Sequence, residues 1–135
     1  MDLSAESLSD QLRRWWFCRV CEVANIDSQR RMWLDTSNRN PHWSYIEFIE
    51  SYPHDDQLLH ALKQGWLTAG EFGILSELGR ILAAYSPPGE NRYDNAAVLQ
   101  DPAWHSVVKA AGHAKQQLLS TTTDQQEREA LLGAI

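Results

Sequence analysis

A regularly spaced run of apolar residues between two strong local signals is the feature that most restricts the fold of this chain. The apolar residues follow one another at steps of three or four: Phe72, Leu75, Leu78, Leu82 and Tyr85. This spacing places them on one face of an α-helix. Thr68 and Glu71 have the T-x-x-E spacing of a helix-opening capping box, and Ser86-Pro87-Pro88-Gly89 breaks the helix. The segment therefore predicts a long amphipathic helix.

Similar patterns predict helices along most of the remaining chain. Each of these helices has a residue at or near its predicted start. In chain order these residues are Ser4 or Ser7 (with Asp10), Trp43, Asp55-Asp56, Asp94, Asp101-Pro102 and Thr123 (with Gln126). The helix that begins near Trp43 is short and aromatic and is stopped by Pro53. Gly65 is a predicted C-cap. Residues 26–34 fit either a short helix capped by Asp27 or an extended piece, and we favour the helix. Residues 35–41 have the composition of a loop.

The whole pattern predicts an all-α fold. No repeat recurs at a fixed period, and no stretch alternates Val, Ile and Thr as a strand would. The chain has 135 residues, which suits one domain able to bury a core without a disulfide or a metal. We therefore predict a single domain over residues 1–135, with about six to seven helices around one core.

The residue types that usually carry chemistry show no catalytic or metal-binding spacing. Cys18 and Cys21 form a C-x-x-C pair, but it lies inside a helical pattern and not at a strand-to-helix junction; we interpret both as buried thiols. The five histidines include no i, i+4 pair, and the glycines form no phosphate loop. Asp55, Asp56 and Glu71 fit first turns of helices. We predict no catalytic site, no metal and no cofactor.

The N-terminal residues and the hydropathy indicate a cytoplasmic protein. The first fourteen residues are acidic before they are basic, which is the reverse of a secretory signal. No apolar run approaches the length of about 18 residues that is needed to span a bilayer.

The formal net charge of −6 comes entirely from the middle of the chain. Residues 1–44 hold six acids and six bases, and residues 102–135 hold three of each. Residues 45–101 hold three bases against nine acids: Glu47, Glu50, Asp55, Asp56, Glu71, Glu77, Glu90, Asp94 and Asp101. Such a segment repels nucleic acid and anionic lipid and attracts a basic protein. The alternative is that these acids form a solvated surface that only keeps the protein soluble.

Six tryptophans are many for a chain of this length. Most are expected in the core, because an indole ring buries a large area. Six cannot easily all be enclosed in so small a domain, and tryptophan is enriched at the centres of protein interfaces. Trp43 and Trp66, at helix edges in or beside the acidic segment, are the two that we predict at a partner surface.

Three runs rich in aromatic, acidic and leucine residues cover nearly half of the chain: HWSYIEFIESYP (42–53), GWLTAGEFGILSELGRILAAYSPPG (65–89) and YDNAAVLQDPAWHSVVKAA (93–111). Together they resemble the small immunity proteins of bacterial contact-dependent inhibition and polymorphic-toxin systems. The resemblance implies a small, cytoplasmic, acidic protein that neutralises one cognate toxin and has no activity of its own. Many of those toxins are basic nucleases.

We therefore predict an immunity protein whose acidic surface binds the Lys and Arg side chains of a basic toxin domain. The predicted contact residues are Trp43, Tyr45, Glu47, Glu50, Asp55, Asp56, Trp66, Glu71 and Glu77. Neither nucleic acid nor membrane is expected as a partner, and a monomer or weak dimer is expected. Two alternatives stay open: a regulatory or scaffold subunit that binds another protein, and a small enzyme in which His54 or His60 approaches a buried carboxyl group.

Overall fold

A computed structural model of the chain describes residues 7–35 and 44–133, and within them it contains helices and no strand. The α-helices are α1 (Leu8–Ala24), α2 (Ile26–Trp33), α3 (Tyr45–Ser51), α4 (Asp55–Lys63), α5 (Ala69–Ala84), α6 (Asn95–Gln100), α7 (Pro102–Thr121) and α8 (Gln125–Leu132). A single 3₁₀ turn, Pro88–Glu90, lies between α5 and α6. The predicted all-α fold is confirmed.

Side-chain caps begin several helices at the residues that the sequence indicated. Ser7 Oγ accepts a hydrogen bond from the backbone N–H of Asp10 at the start of α1. Thr68 and Glu71 make both bonds of the capping box that opens α5, at 3.1 and 2.8 Å. Asp101 caps α7 directly before Pro102. These bonds satisfy backbone N–H groups that the first helical turn leaves without partners.

Two caps differ from the prediction. Residues 26–33 are helical as favoured, but the cap of α2 is Asn25, whose side chain accepts from the backbone N–H of Ser28 at 3.0 Å. Asp27 already lies within the first turn, where its side chain is past the capping position. In the same way, α8 is capped by Asp124 and not by Thr123. In both cases the residue directly before the first turn supplies the oxygen, as capping geometry requires.

The buried apolar side chains form one continuous cluster. Helix α1 packs on α7 and α8, and α5 packs on α4 and α7. Phe17 and Val20 of α1 are fully buried there, together with Leu75 of α5 and Leu118 of α7. Helix α1 therefore crosses the core, and only its first turns extend beyond it.

An aromatic group around Trp104 fills the part of the core between α2, α3, α5 and α7. The rings of Trp33, Tyr45 and Tyr85 lie 5.8, 5.5 and 5.2 Å from that of Trp104, centroid to centroid. The indole N–H of Trp104 donates to Gln29 Oε1 at 2.9 Å, so this buried polar atom is satisfied. Tryptophan is thus used here mainly as core, as its large apolar area favours.

Candidate protein-binding surface

Two of the predicted contact residues are buried, and a third cannot be placed. Trp43 lies outside the described residues. Tyr45 is only 3% exposed, because its ring packs within the aromatic group around Trp104. Glu71 is 6% exposed. Neither Tyr45 nor Glu71 can therefore belong to a partner surface of the folded chain, and both predictions are corrected.

Glu71 is buried because it belongs to an ion-pair cluster centred on Arg13. The Arg13 guanidinium donates to both carboxylate oxygens of Glu71, at 2.7 and 2.6 Å, and to both of Glu127, at 3.0 and 2.9 Å. It also donates to the backbone oxygen of Trp66 at 2.8 Å. Burial pushes the pKa of Glu71 upward, but the bonds from Arg13 and Thr68 prevail, and the pKa lies below its ordinary value. This cluster joins α1, α5 and α8 and is structural.

The other predicted acids lie at or near the surface, but they are not equivalent. Asp55 is exposed and accepts a hydrogen bond from Ser76 Oγ at 3.2 Å. Glu77 is exposed and pairs with Arg80 one turn further along α5. Glu47 is half-buried. The negative charge of these residues is partly offset or already engaged, so they do not form a free acidic face.

Glu50, Asp56 and Trp66 are brought together with apolar residues of α1 along one continuous depression, the α1–α4 groove. It consists of two adjoining hollows that share Leu12, Trp16 and Gln57. The first hollow, of about 220 Å³, is also lined by Trp15, Glu50, Ser51, Tyr52, Pro53 and His54. The second, called here the tryptophan pocket, is about 390 Å³ and is also lined by Leu8, Asp56, His60 and Trp66.

The α1 side of the groove exposes large apolar side chains. Leu8, Leu12, Trp15 and Trp16 recur at helical intervals and so share one side of α1. Trp16 is buried, whereas Leu8 is 60% exposed and Trp15 is 58% exposed. Trp15 is not among the contact residues predicted from the sequence. The sequence contained a signal for an exposed apolar surface here, because the apolar side of α1 starts at Leu8, a full turn before the helix enters the core.

Among the described residues, the carboxylates of Glu50 and Asp56 supply the charge at the border of the groove. Glu50 and Asp56 are exposed, and neither makes a hydrogen bond or ion pair through its side chain to another described residue. No Lys or Arg of the described chain lines either hollow. Asp56 also lies in the first turn of α4, where the helix dipole favours a carboxylate. The groove therefore offers an apolar floor with unpaired negative charge at its border, which suits a ligand of mixed apolar and cationic character.

The histidines of this region do not meet a buried carboxyl group. His54 and His60 are both exposed, and the His60 ring packs edge-on against Trp66 at 5.4 Å. Two described carboxyl groups have a shifted pKa. The pKa of Glu22 is raised by burial, and its carboxylate pairs with Arg19. The pKa of Glu71 is lowered, and its carboxylate pairs with Arg13. Neither is bonded to a histidine in residues 7–35 and 44–133.

The cysteines have the surroundings of unreactive thiols. Both are free; Cys21 is buried and Cys18 is half-buried on α1. Burial raises the pKa of each thiol, which lowers the thiolate fraction that reaction and metal binding need. In the part of the chain that the structure describes, no three His, Cys, Asp or Glu side chains are grouped so that they could hold a metal ion.

Comparison of the chain with protein-family models, with curated proteins and with solved structures finds no match. None of the helices in the described ranges combines the length and the hydropathy needed to cross a bilayer. The function has therefore to be inferred from the surface of the molecule itself, and the α1–α4 groove combines exposed apolar side chains with carboxylates.

Proposed function

We propose that this chain is an immunity-type inhibitor that binds a cognate bacterial toxin, a basic nuclease, through the α1–α4 groove. The observation that carries the proposal is the combination of exposed Trp15 and Leu8 with the carboxylates of Glu50 and Asp56, which pair with no other described side chain, around one depression. The choice of a toxin as the partner comes from the resemblance of the sequence to immunity proteins.

An exposed tryptophan beside a leucine favours a protein as the ligand. Apolar groups that lie together on a surface and are bordered by polar residues mark interaction sites, and tryptophan is over-represented among residues whose truncation costs most binding energy. Trp15 extends from the middle of α1, so its backbone is already ordered before a partner arrives. Little conformational entropy is then lost at this position on binding.

The bordering acids favour a basic partner. A nuclease holds phosphate with Lys and Arg, and the same side chains can pair with Glu50 and Asp56. Truncating one member of a desolvated interfacial charge pair costs about 2–5 kcal/mol, whereas rim charges mainly alter the association rate. The proposed contact acids are thus Glu50 and Asp56 first, with Asp55 and Glu77 on the neighbouring α4–α5 surface.

The test is coexpression of the chain with the product of the adjacent upstream gene, scored by co-purification and by rescue of growth. Trp15→Ala and the double reversal Glu50→Lys, Asp56→Lys are each expected to abolish rescue. Matched controls lie outside the groove: Tyr93→Ala removes a fully exposed aromatic ring, 82% accessible, and Glu90→Lys reverses an exposed acid. Both controls are expected to retain rescue.

Wild-type-like rescue by both groove variants would show that the toxin binds elsewhere. Absence of co-purification between the wild-type chain and the neighbouring product would remove the toxin as partner. A regulatory or scaffold subunit would use the same groove, and gene neighbourhood separates the two: a large secreted toxin gene favours immunity, and a metabolic operon favours the subunit.

A further inference from the structure

We propose that the tryptophan pocket takes a single arginine side chain of the partner protein. The identity of that partner rests on the function proposed above, but the chemistry of the pocket can be tested without it. The pocket joins three elements that an arginine needs in one place: an apolar wall, an aromatic ring and a carboxylate.

The apolar wall matches the aliphatic part of the arginine side chain. Leu8, Leu12 and Trp16 line it along α1, and three methylene groups can lie against such a surface while the charged head stays near its opening. The pocket volume of about 390 Å³ exceeds that of one side chain. A whole helix of the partner would instead occupy the full length of the α1–α4 groove, that is, both hollows and not the tryptophan pocket alone.

The aromatic ring of Trp66 also lines the pocket, and its residue is held in place before any ligand binds. Its ring contacts His60 edge-on. Its backbone N–H donates to Ala61 at 2.9 Å, and its backbone oxygen accepts from Arg13 at 2.8 Å. A cation within about 6 Å of an indole face gains about 0.5–2 kcal/mol, and a pre-ordered ring loses little of that gain to conformational entropy.

Asp56 is the only carboxylate that lines the tryptophan pocket among the described residues, and its side chain has no partner there. Arginine fits better than lysine, because a planar guanidinium can stack on an indole and pair with a carboxylate through two parallel hydrogen bonds. The chain uses this chemistry in its own interior. The guanidinium of Arg13 lies 5.2 Å from the ring centre of Phe17 and is forked onto two carboxylates.

The experiment follows the indole N–H resonances of the ¹⁵N-labelled full chain while small probes are added. The probes are N-acetyl-arginine methylamide, the lysine analogue, and the citrulline analogue, which has nearly the shape of arginine without its charge. The arginine probe is expected to shift the indole resonances of Trp16 and Trp66 in a saturable way, and the lysine probe several-fold more weakly. Citrulline is expected to leave them unmoved. Trp104, fully buried in the core, serves as the internal control.

Asp56→Asn keeps the shape of the side chain and removes its charge, and it is expected to weaken arginine binding about tenfold, the loss of one charge-assisted contact. Glu90→Gln, at an exposed acid outside the groove, is the matched control and is expected to leave affinity unchanged. Circular dichroism checks that both variants fold. Equal shifts with citrulline, unchanged affinity in Asp56→Asn, or no shift of Trp66 at tens of millimolar arginine probe would overturn the proposal.

The probe titration and the toxin assay fail independently. Arginine binding without toxin rescue would retain the pocket chemistry and reject the toxin as partner. Toxin rescue that depends on Trp15 but not on Asp56, without arginine binding, would retain the inhibitor and reject an arginine in the tryptophan pocket.

Discussion

Replacing Arg13 by methionine is expected to destabilise the fold strongly, because it strands two carboxylates. The side chains of Glu71 and Glu127 are only 8% and 10% exposed, and Arg13 satisfies both. Removing one partner of a buried ion pair costs about 3–5 kcal/mol. The lost hydrogen bond to the oxygen of Trp66 adds about 1 kcal/mol. A total loss of about 4–6 kcal/mol is a large part of the roughly 5–15 kcal/mol that stabilises a domain.

The loss of stability in the Arg13→Met variant is expected to depend on pH, and the pKa of Glu71 determines whether it grows or shrinks in acid. In the wild type this pKa is lowered from its ordinary value of 4.5. A carboxyl group with a lowered folded pKa stabilises the fold above its unfolded pKa and loses that contribution as the pH falls through the folded value. Without Arg13, only the bonds from Thr68 still oppose the effect of burial, so the pKa of Glu71 rises from its wild-type value and acidification neutralises the stranded charge. The difference in stability between the two proteins should therefore shrink as the pH falls through the ordinary range of a carboxyl group and further, through the lowered pKa of Glu71 in the wild type.

Urea unfolding followed by circular dichroism measures both effects. With a slope of about 2 kcal/mol per molar urea, the midpoint should fall by about 2–3 M at neutral pH and by clearly less in acid. Arg80→Met is the matched control, since its pair with Glu77 is exposed, and no measurable shift is expected. The triple variant Arg13→Met, Glu71→Met, Glu127→Met should recover much of the stability. A small loss, or one independent of pH, would refute the reasoning.

Two further predictions concern buried hydrogen bonds, and urea midpoints check both. Gln29→Leu should cost about 2–4 kcal/mol, because Gln29 satisfies the indole of Trp104 and donates to two backbone oxygens at the end of α1; a neutral result would mean that water replaces it. Tyr52→Phe should cost about 1 kcal/mol, since it removes only the 2.6 Å bond to the backbone oxygen of Leu75, and a much larger loss would indicate repacking.

Helix positions were predictable where the signal and its effect lie within a few residues. The capping box of Thr68 and Glu71 and the Asp101-Pro102 start both act within a single turn, so the order of residues already contains the hydrogen bonds. The helix at residues 26–33 was harder to predict, because its N-cap, Asn25, is also the C-cap of α1. A residue that serves two helices gives an ambiguous local signal.

Burial was not predictable where it depends on a partner distant in the chain. Glu71 carries a correct capping prediction and an incorrect surface prediction at once, because its second role depends on Arg13, 58 residues away. Tyr45 is enclosed by Trp104, which also comes from a distant helix. Trp15 shows the converse case. Its spacing matches the apolar side of α1, yet it is 58% exposed, because burial depends on how other helices pack around α1 and not on the spacing alone.

In the proposed complex, the net charge and the contact surface have different roles. The excess of six negative charges acts over a Debye length of about 10 Å and accelerates the approach of any basic protein. Close binding needs carboxylates that are still free beside an apolar surface, and within residues 7–35 and 44–133 Glu50 and Asp56 meet that condition in the groove. A distant reversal such as Glu90→Lys should therefore change the association rate and its salt dependence. Changes at Trp15 or Asp56 should act on the dissociation rate, which sets most affinity differences between related complexes.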